Sequence, residues 1–188
     1  MNKFLGHLKT VLRHKWYVFR ECAACGLVWQ GLTHDLSKFS PTEFFSSVKY
    51  YQGHRSPIDA EKEDIGYSEA WLHHKGRNKH HWEYWTDFDF TKNGELFAAK
   101  IPYKYVVEMI CDYIGASKAY SKGKWTQDMP KKYFDGVKHK RLYHPETLAL
   151  IETFLLYLDT FGPDRFHKLA KSKIMRKSYG VRNENSEE

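Results

Sequence analysis

The sequence predicts an all-α fold, a single compact helical bundle, on three observations. Apolar residues recur at helical spacing in one segment after another, and helix start and stop signals punctuate the chain between them. No segment shows the period-two alternation of a half-buried strand, and there is no internal repeat. The third observation is the length: 188 residues suit one domain able to bury its own core without disulfides or a structural metal. The domain is expected over residues 1–177, followed by a polar tail, 178–188, that frays.

In chain order, Phe4, Leu5, Leu8, Val11, Leu12 and Tyr17 define a first helix over residues 2–21. Within it His7, Val11 and His14 form an i, i+4, i+7 row that turns both imidazoles toward one region, although only one need be a ligand. Residues 22–32 continue as an apolar, mostly helical stretch interrupted at Gly26 and Gly31, and lead into Thr33-His34-Asp35-Leu36-Ser37-Lys38. Ser40-Pro41-Thr42-Glu43 reads as a capping-box start, and the helix it opens, with Phe44, Phe45, Val48 and Tyr51, should end near Gly53. Residues 54–64, with Pro57 and a run of charges, read as a loop. A helix is expected over 67–79, continued by His80-His81-Trp82-Glu83-Tyr84-Trp85, and then a loop over 86–94. Ile101-Pro102-Tyr103 opens a strongly apolar helix that ends near Gly123 and carries Asp112 in its middle. Helices over 129–137, 144–161 and 163–177, the last one basic, complete the bundle.

The formal net charge of +7 favours anionic partners without naming them. Much of the excess lies in the final third, at Lys131, Lys132, Lys138, Lys140, Arg141, Lys168, Lys171, Lys173, Arg176 and Lys177, and a solvated basic surface accounts for most of it. No apolar run approaches the ~20 residues of a membrane span, and the N-terminus lacks the features of a secretion signal. With only three cysteines, the expected location is the cytoplasm. Cys22-Ala23-Ala24-Cys25 has CxxC spacing but no partner pair, and with Cys111 it is assigned to core packing.

The chemistry resides in a constellation. The dipeptide His34-Asp35 alone says little. His14, His34-Asp35 and Asp112, however, lie in or at the end of three separate helical segments, whose packing can bring the four side chains to one point. Imidazole and carboxylate donors suit divalent Mn, Fe, Co, Ni or Zn, and the absence of thiolate pairs argues against a structural zinc site. Asp112 is the most diagnostic residue, because an acid inside Val-Val-Glu-Met-Ile-Cys-Asp-Tyr-Ile is costly to bury unless paired or metal-bound. The bland alternative pairs Asp112 with a lysine or arginine, or leaves it on an exposed face beside Glu108.

The order His, His-Asp, distant Asp resembles the HD superfamily of metal-dependent phosphohydrolases. The strings Thr-His-Asp-Leu-Ser-Lys-Phe-Ser-Pro-Thr-Glu-Phe and Asn-Lys-His-His-Trp-Glu-Tyr-Trp resemble an uncharacterised HD-related family of bacteria and phages. The resemblance covers roughly residues 1 to 165. It implies an HD-type bundle in which His14, His34, Asp35 and Asp112 bind one metal and Lys38 sits near a substrate phosphate. It also raises a second metal, with His74, His80 and His81 as candidates. On a continuous helix His74, Asn78, His81 and Trp85 share one stripe, while His73, Arg77, His80 and Tyr84 share another offset by about 100°. The first stripe is preferred for metal or phosphate, with His80 in reserve; structural histidines packed on Trp82 and Trp85 are the alternative.

The expected reaction is hydrolysis of a phosphate ester on a small anionic substrate, a nucleotide among the candidates, with one or two metal ions as cofactor. Asp35 would orient or deprotonate the attacking water, and Lys38, Arg77 and the histidines would stabilise developing charge. Two rivals are a di-iron oxygenase on the same scaffold and a nucleic-acid or partner-binding protein that keeps a vestigial metal site.

Overall fold

The computed structural model describes residues 2–121 and 123–175. The expected tail, 178–188, and the end of the last basic helix at Arg176 and Lys177 lie outside the described residues. Within them the regular structure is nine α-helices, a few 3₁₀ turns and one short hairpin, as an all-α fold requires. In order these are α1 (Lys3–Ala24), α2 (Val28–Thr33), α3 (Pro41–Tyr50), α4 (Pro57–Ile65), α5 (Glu69–Lys75), strands β1 (Thr86–Asp89) and β2 (Glu95–Ala98), then α6 (Tyr103–Tyr120), α7 (Met129–Val137), α8 (Pro145–Phe161) and α9 (Pro163–Met175).

The helix ends follow local chemistry. Asn2 caps α1 by accepting a hydrogen bond from the Leu5 backbone N–H at 3.2 Å, and Gly26, with φ of 82°, lets the chain turn out of α1 toward α2. Ser40 caps α3 through the Glu43 N–H, with Pro41 in the first turn. Three expectations need correction. Residues 54–64 are not a loop throughout, because Pro57 opens α4 where its missing N–H costs nothing. The helix expected over 67–79 stops at Lys75. Residues 86–98 form an antiparallel hairpin pairing Thr86 with Ala98 and Asp89 with Glu95, turned through Asn93 and Gly94, both at positive φ. Neither strand buries a face, and Phe88, Leu96 and Phe97 are exposed, so no alternating pattern marked it in the sequence.

The core forms where α1 and α6 meet, with α8 and α9 closing it. Val18, Cys22 and Cys25 pack with Ile110, Cys111 and Ile114, and Phe134, Phe154, Leu158 and Phe166 fill the far side. All three cysteines are buried free thiols, in keeping with a packing role. Gly115 sets the distance between α1 and α6: a Cβ there would lie 2.4 Å from Val18 Cγ2 and 3.0 Å from the Val18 backbone nitrogen. Buried Glu21 ties three helices together, facing Lys118 Nζ of α6 at 2.6 Å and His167 Nε2 of α9 at 2.8 Å. Among the described residues no helix is long and apolar enough to cross a membrane.

Candidate metal centre

The close approach at Gly115 positions the first pair of donors. His14 lies one turn before Val18 on α1 and Asp112 nearly one turn before Gly115 on α6, which leaves His14 Nε2 3.2 Å from Asp112 Oδ1. The third and fourth donors arrive where α2 ends. His34 caps α2, and Asp35 adopts φ 53° and ψ 28°, a left-handed conformation uncommon for a residue with a side chain, before a 3₁₀ turn over Leu36–Phe39. That backbone turn directs both side chains inward. Asp35 Oδ2 lies 3.4 Å from His14 Nε2 and 3.3 Å from His34 Nε2, and His34 Nε2 lies 3.6 Å from Asp112 Oδ1.

The other Asp35 oxygen faces a different set. Oδ1 is 3.3 Å from His74 Nε2 and 3.5 Å from His80 Nε2. His74 comes from α5, but His80 and His81 do not lie on the same helix. After Lys75 the chain folds back, with the Asn78 side chain bridging the His74 carbonyl and Ser37 Oγ at 2.8 Å each. The two-stripe argument therefore fails, because it assumed one continuous helix. His80 and His81 both approach His74 and Asp35, and His80, held in reserve from sequence, is the more deeply buried of the two. Among the described residues three groups could hold an ion: His14/His34/Asp35/Asp112 and Asp35/His74/His80/His81, which share one carboxylate, and His34/His80/Glu108, which lies behind them and uses one histidine of each.

Two glutamates stand behind the histidines. Glu108 Oε1 lies 3.0 Å from His34 Nδ1 and 3.2 Å from His80 Nδ1, so a single carboxylate accepts from one histidine of each Asp35 group. Glu43 also accepts from two imidazoles, His74 Nδ1 at 2.8 Å and His73 Nδ1 at 2.6 Å, of which only His74 belongs to a group. With the proton on Nδ1, Nε2 carries the free lone pair, the tautomer that a metal requires. The buried Nε2 atoms of His14, His34, His80 and His81 and Asp35 Oδ1 have no hydrogen-bond partner, while Asp35 Oδ2 is met by Lys38. Buried polar atoms are rarely left so, and a cation at each Asp35 group satisfies them. The donor set fits a divalent transition ion.

Electrostatics keep the acids ionised. Burial opposes the charge on Asp35, but His34, Lys38 and His74 hold it well below the ordinary carboxylate range. Asp112 is likewise held low against burial by the neighbouring His14 and His34. Burial, and then the neighbouring His80 and His74, push His81 well below the usual imidazole range, so it stays neutral. His7, the other histidine of the α1 row, joins none of these groups: its ring packs on Phe44 and Tyr51, and burial together with Lys38 lowers it to about 4.

The donors open onto a cavity of about 680 Å³ whose wall includes His14, His74, His81, Asp112 and Lys38. Lys38 Nζ lies 2.6 Å from Asp35 Oδ2. Arg77 is not brought here: it is exposed, bonds the His73 carbonyl, and is absent from the cavity wall. Arg141, read from sequence as surface charge, does line the cavity. Sequence reasoning also missed the parts of Glu108 and Glu43. Glu108 carried a legible signal, a second acid one turn before Asp112 in the same apolar run, whereas Glu43 was read only as the partner in a capping box.

A family model described as a family of unknown function, DUF5662, matches residues 3–156, a span that contains every donor named above. No curated protein and no solved structure matches the chain. The match covers most of the sequence, and the chain belongs to the DUF5662 family.

Proposed function

We propose that the protein is a metal-dependent phosphohydrolase of HD type that acts on a small phosphorylated substrate. The observation that carries this reading is the division of the buried Asp35, with Oδ2 toward His14 and His34 and Oδ1 toward His74 and His80, behind a cavity walled by His14, His74, Asp112 and the basic Lys38. The order of the same donors along the chain, His14, then His34-Asp35, then Asp112, is what resembles the HD superfamily. A divalent ion held by these donors would supply Lewis acidity toward a phosphoryl oxygen and would make a water acidic enough to ionise near neutral pH. Asp35, kept ionised by its neighbours, would hold the ion and orient such a water. Lys38, at the same wall, contributes a point charge to the phosphate. Glu108 and Glu43 hold the imidazoles in the ligating tautomer.

A second reading has one observation in its favour. A carboxylate shared between two histidine groups also suits a pair of irons, and hence an oxygenase. One experiment separates the two. The purified protein is analysed for metals and assayed on a panel of phosphate esters with Mn or Co, alongside Asp35→Ala. Phosphate release that is metal-dependent and lost in Asp35→Ala supports hydrolysis. Two irons with oxygen-dependent turnover and no phosphate release assigns the oxygenase. Full metal content in Asp35→Ala refutes the site itself.

A further inference from the structure

Arg141 is set apart among the cations of the cavity wall by its burial, since Lys62 and Lys140 also have no ion pair among the described residues but are exposed. Lys38 faces Asp35, and Arg55 forms a two-pronged pair with Glu63 at 2.7 and 2.6 Å. The neighbouring lysines of the final third are paired as well, Lys131 with Asp135, Lys132 with Asp128 and Lys138 with Glu152. The half-buried Arg141 makes no ion pair among the described residues. Its guanidinium is instead clasped by phenols: Nη1 donates to Tyr113 at 2.8 Å and to Tyr143 at 3.4 Å, and Nη2 donates to Tyr133 at 2.9 Å. The guanidinium carbon also lies 5.5 Å from the centre of the Tyr133 ring.

Three consequences follow from that arrangement. The charge is not neutralised, because the three partners of the guanidinium are phenols and none is a carboxylate. The group is already ordered, so an anion that binds it pays little side-chain entropy. Of its five N–H donors the phenols take three, and Nε–H and one Nη2–H have no partner among the described residues. Glu83 also lines the cavity but makes no ion pair with Arg141. A partly desolvated guanidinium with spare donors is a receptor for a carboxylate or phosphate. Tyr113, which holds it, directly follows the donor Asp112 on α6, and Asp112, Tyr113 and Arg141 all line the one cavity.

We infer that Arg141 binds a second anionic group of the substrate, remote from the phosphate at the metal centre, so that the preferred substrate is a phosphate ester carrying another carboxylate or phosphate. The inference rests on the phosphohydrolase reading for the role of the first phosphate, but anion binding at Arg141 stands apart from turnover. The test uses the metal-loaded, full-length protein and three flexible probes followed by calorimetry: hexyl phosphate, 6-phosphonooxyhexanoate and hexane-1,6-diyl bisphosphate. The doubly anionic probes should bind at least about tenfold more tightly than hexyl phosphate, the scale of a charge-assisted pair. Whichever of the two binds better identifies the second group as carboxylate or phosphate. Arg141→Met should erase the advantage, and Arg141→Lys, which keeps the charge but not the fork, should retain only part of it; thermal melts of both variants verify the fold. Equal binding of all three probes, or an advantage that survives in Arg141→Met, overturns the inference. Arg141-dependent binding without any hydrolysis overturns the phosphohydrolase reading and leaves this one intact.

Discussion

Replacing Glu108 by Gln should weaken both metal groups at once. Its Oε1 accepts from His34 Nδ1 at 3.0 Å and from His80 Nδ1 at 3.2 Å, and these two histidines belong to different groups around Asp35. Glutamine keeps the shape, but it removes the charge that orients the rings, and its amide can turn a donor toward an Nδ1 that has to donate. Loss of such an outer carboxylate typically costs 10- to 100-fold in metal affinity, or about 1.4–2.7 kcal/mol per site. Glu43→Gln provides the contrast. Glu43 backs His74 and His73, of which only His74 is a donor, so its loss should weaken the His74/His80/His81 group and spare His14/His34/Asp112. Titration against a chelating dye resolves two sites, and far-UV circular dichroism verifies that helicity is retained. Two sites of unchanged affinity in a folded Glu108→Gln protein would falsify the positioning argument, and so would an effect confined to one site.

Further outcomes are expected elsewhere. His74→Ala and His80→Ala should each lower metal stoichiometry from two to one, while His81→Ala, which lacks a carboxylate behind its ring, should weaken the second ion without abolishing it; elemental analysis of the three variants distinguishes these results. Asp112→Asn should lose the first ion while its helicity persists, and full metal content would instead make Asp112 a structural acid. Gly115→Ala places a Cβ 2.4 Å from Val18 Cγ2 and should cost about 1–3 kcal/mol in denaturant unfolding, with weaker binding at the first ion because His14 moves away from Asp112. Glu21→Gln should destabilise the protein by about 1.5–3 kcal/mol near neutral pH, since it breaks the ion pair with Lys118 and disturbs the contact with His167. The pKa of Glu21 is depressed in the folded state: burial opposes this, but His167 and Lys118 outweigh it. Its contribution is therefore full above the ordinary carboxylate value of 4.5 and is lost as pH falls through the depressed folded value, so wild-type and variant unfolding curves should converge in acid.

The sequence by itself determined what is local or periodic. Helical spacing along α1, α6 and α8 and the Ser40-Pro41 start of α3 depend on residues within a turn or two of one another, so the all-α class and most helix positions could be read directly. So could the candidate donors His14, His34, Asp35 and Asp112, because an acid or imidazole inside an apolar helical run stands out wherever the chain later carries it. Tertiary structure alone decided what depends on chain reversal and on neighbours distant in sequence. The end of α5 at Lys75 turns His80 inward beside His81, and helical phase cannot be extended across such a turn. Pairing between exposed strands formed the hairpin without any buried face to mark it. Glu108 became the brace of two histidines and Arg141 a clasped cation only because residues 28 to 74 positions apart were packed together. A side chain's charge and shape belong to its own position, whereas the partners that decide its role are supplied by the fold.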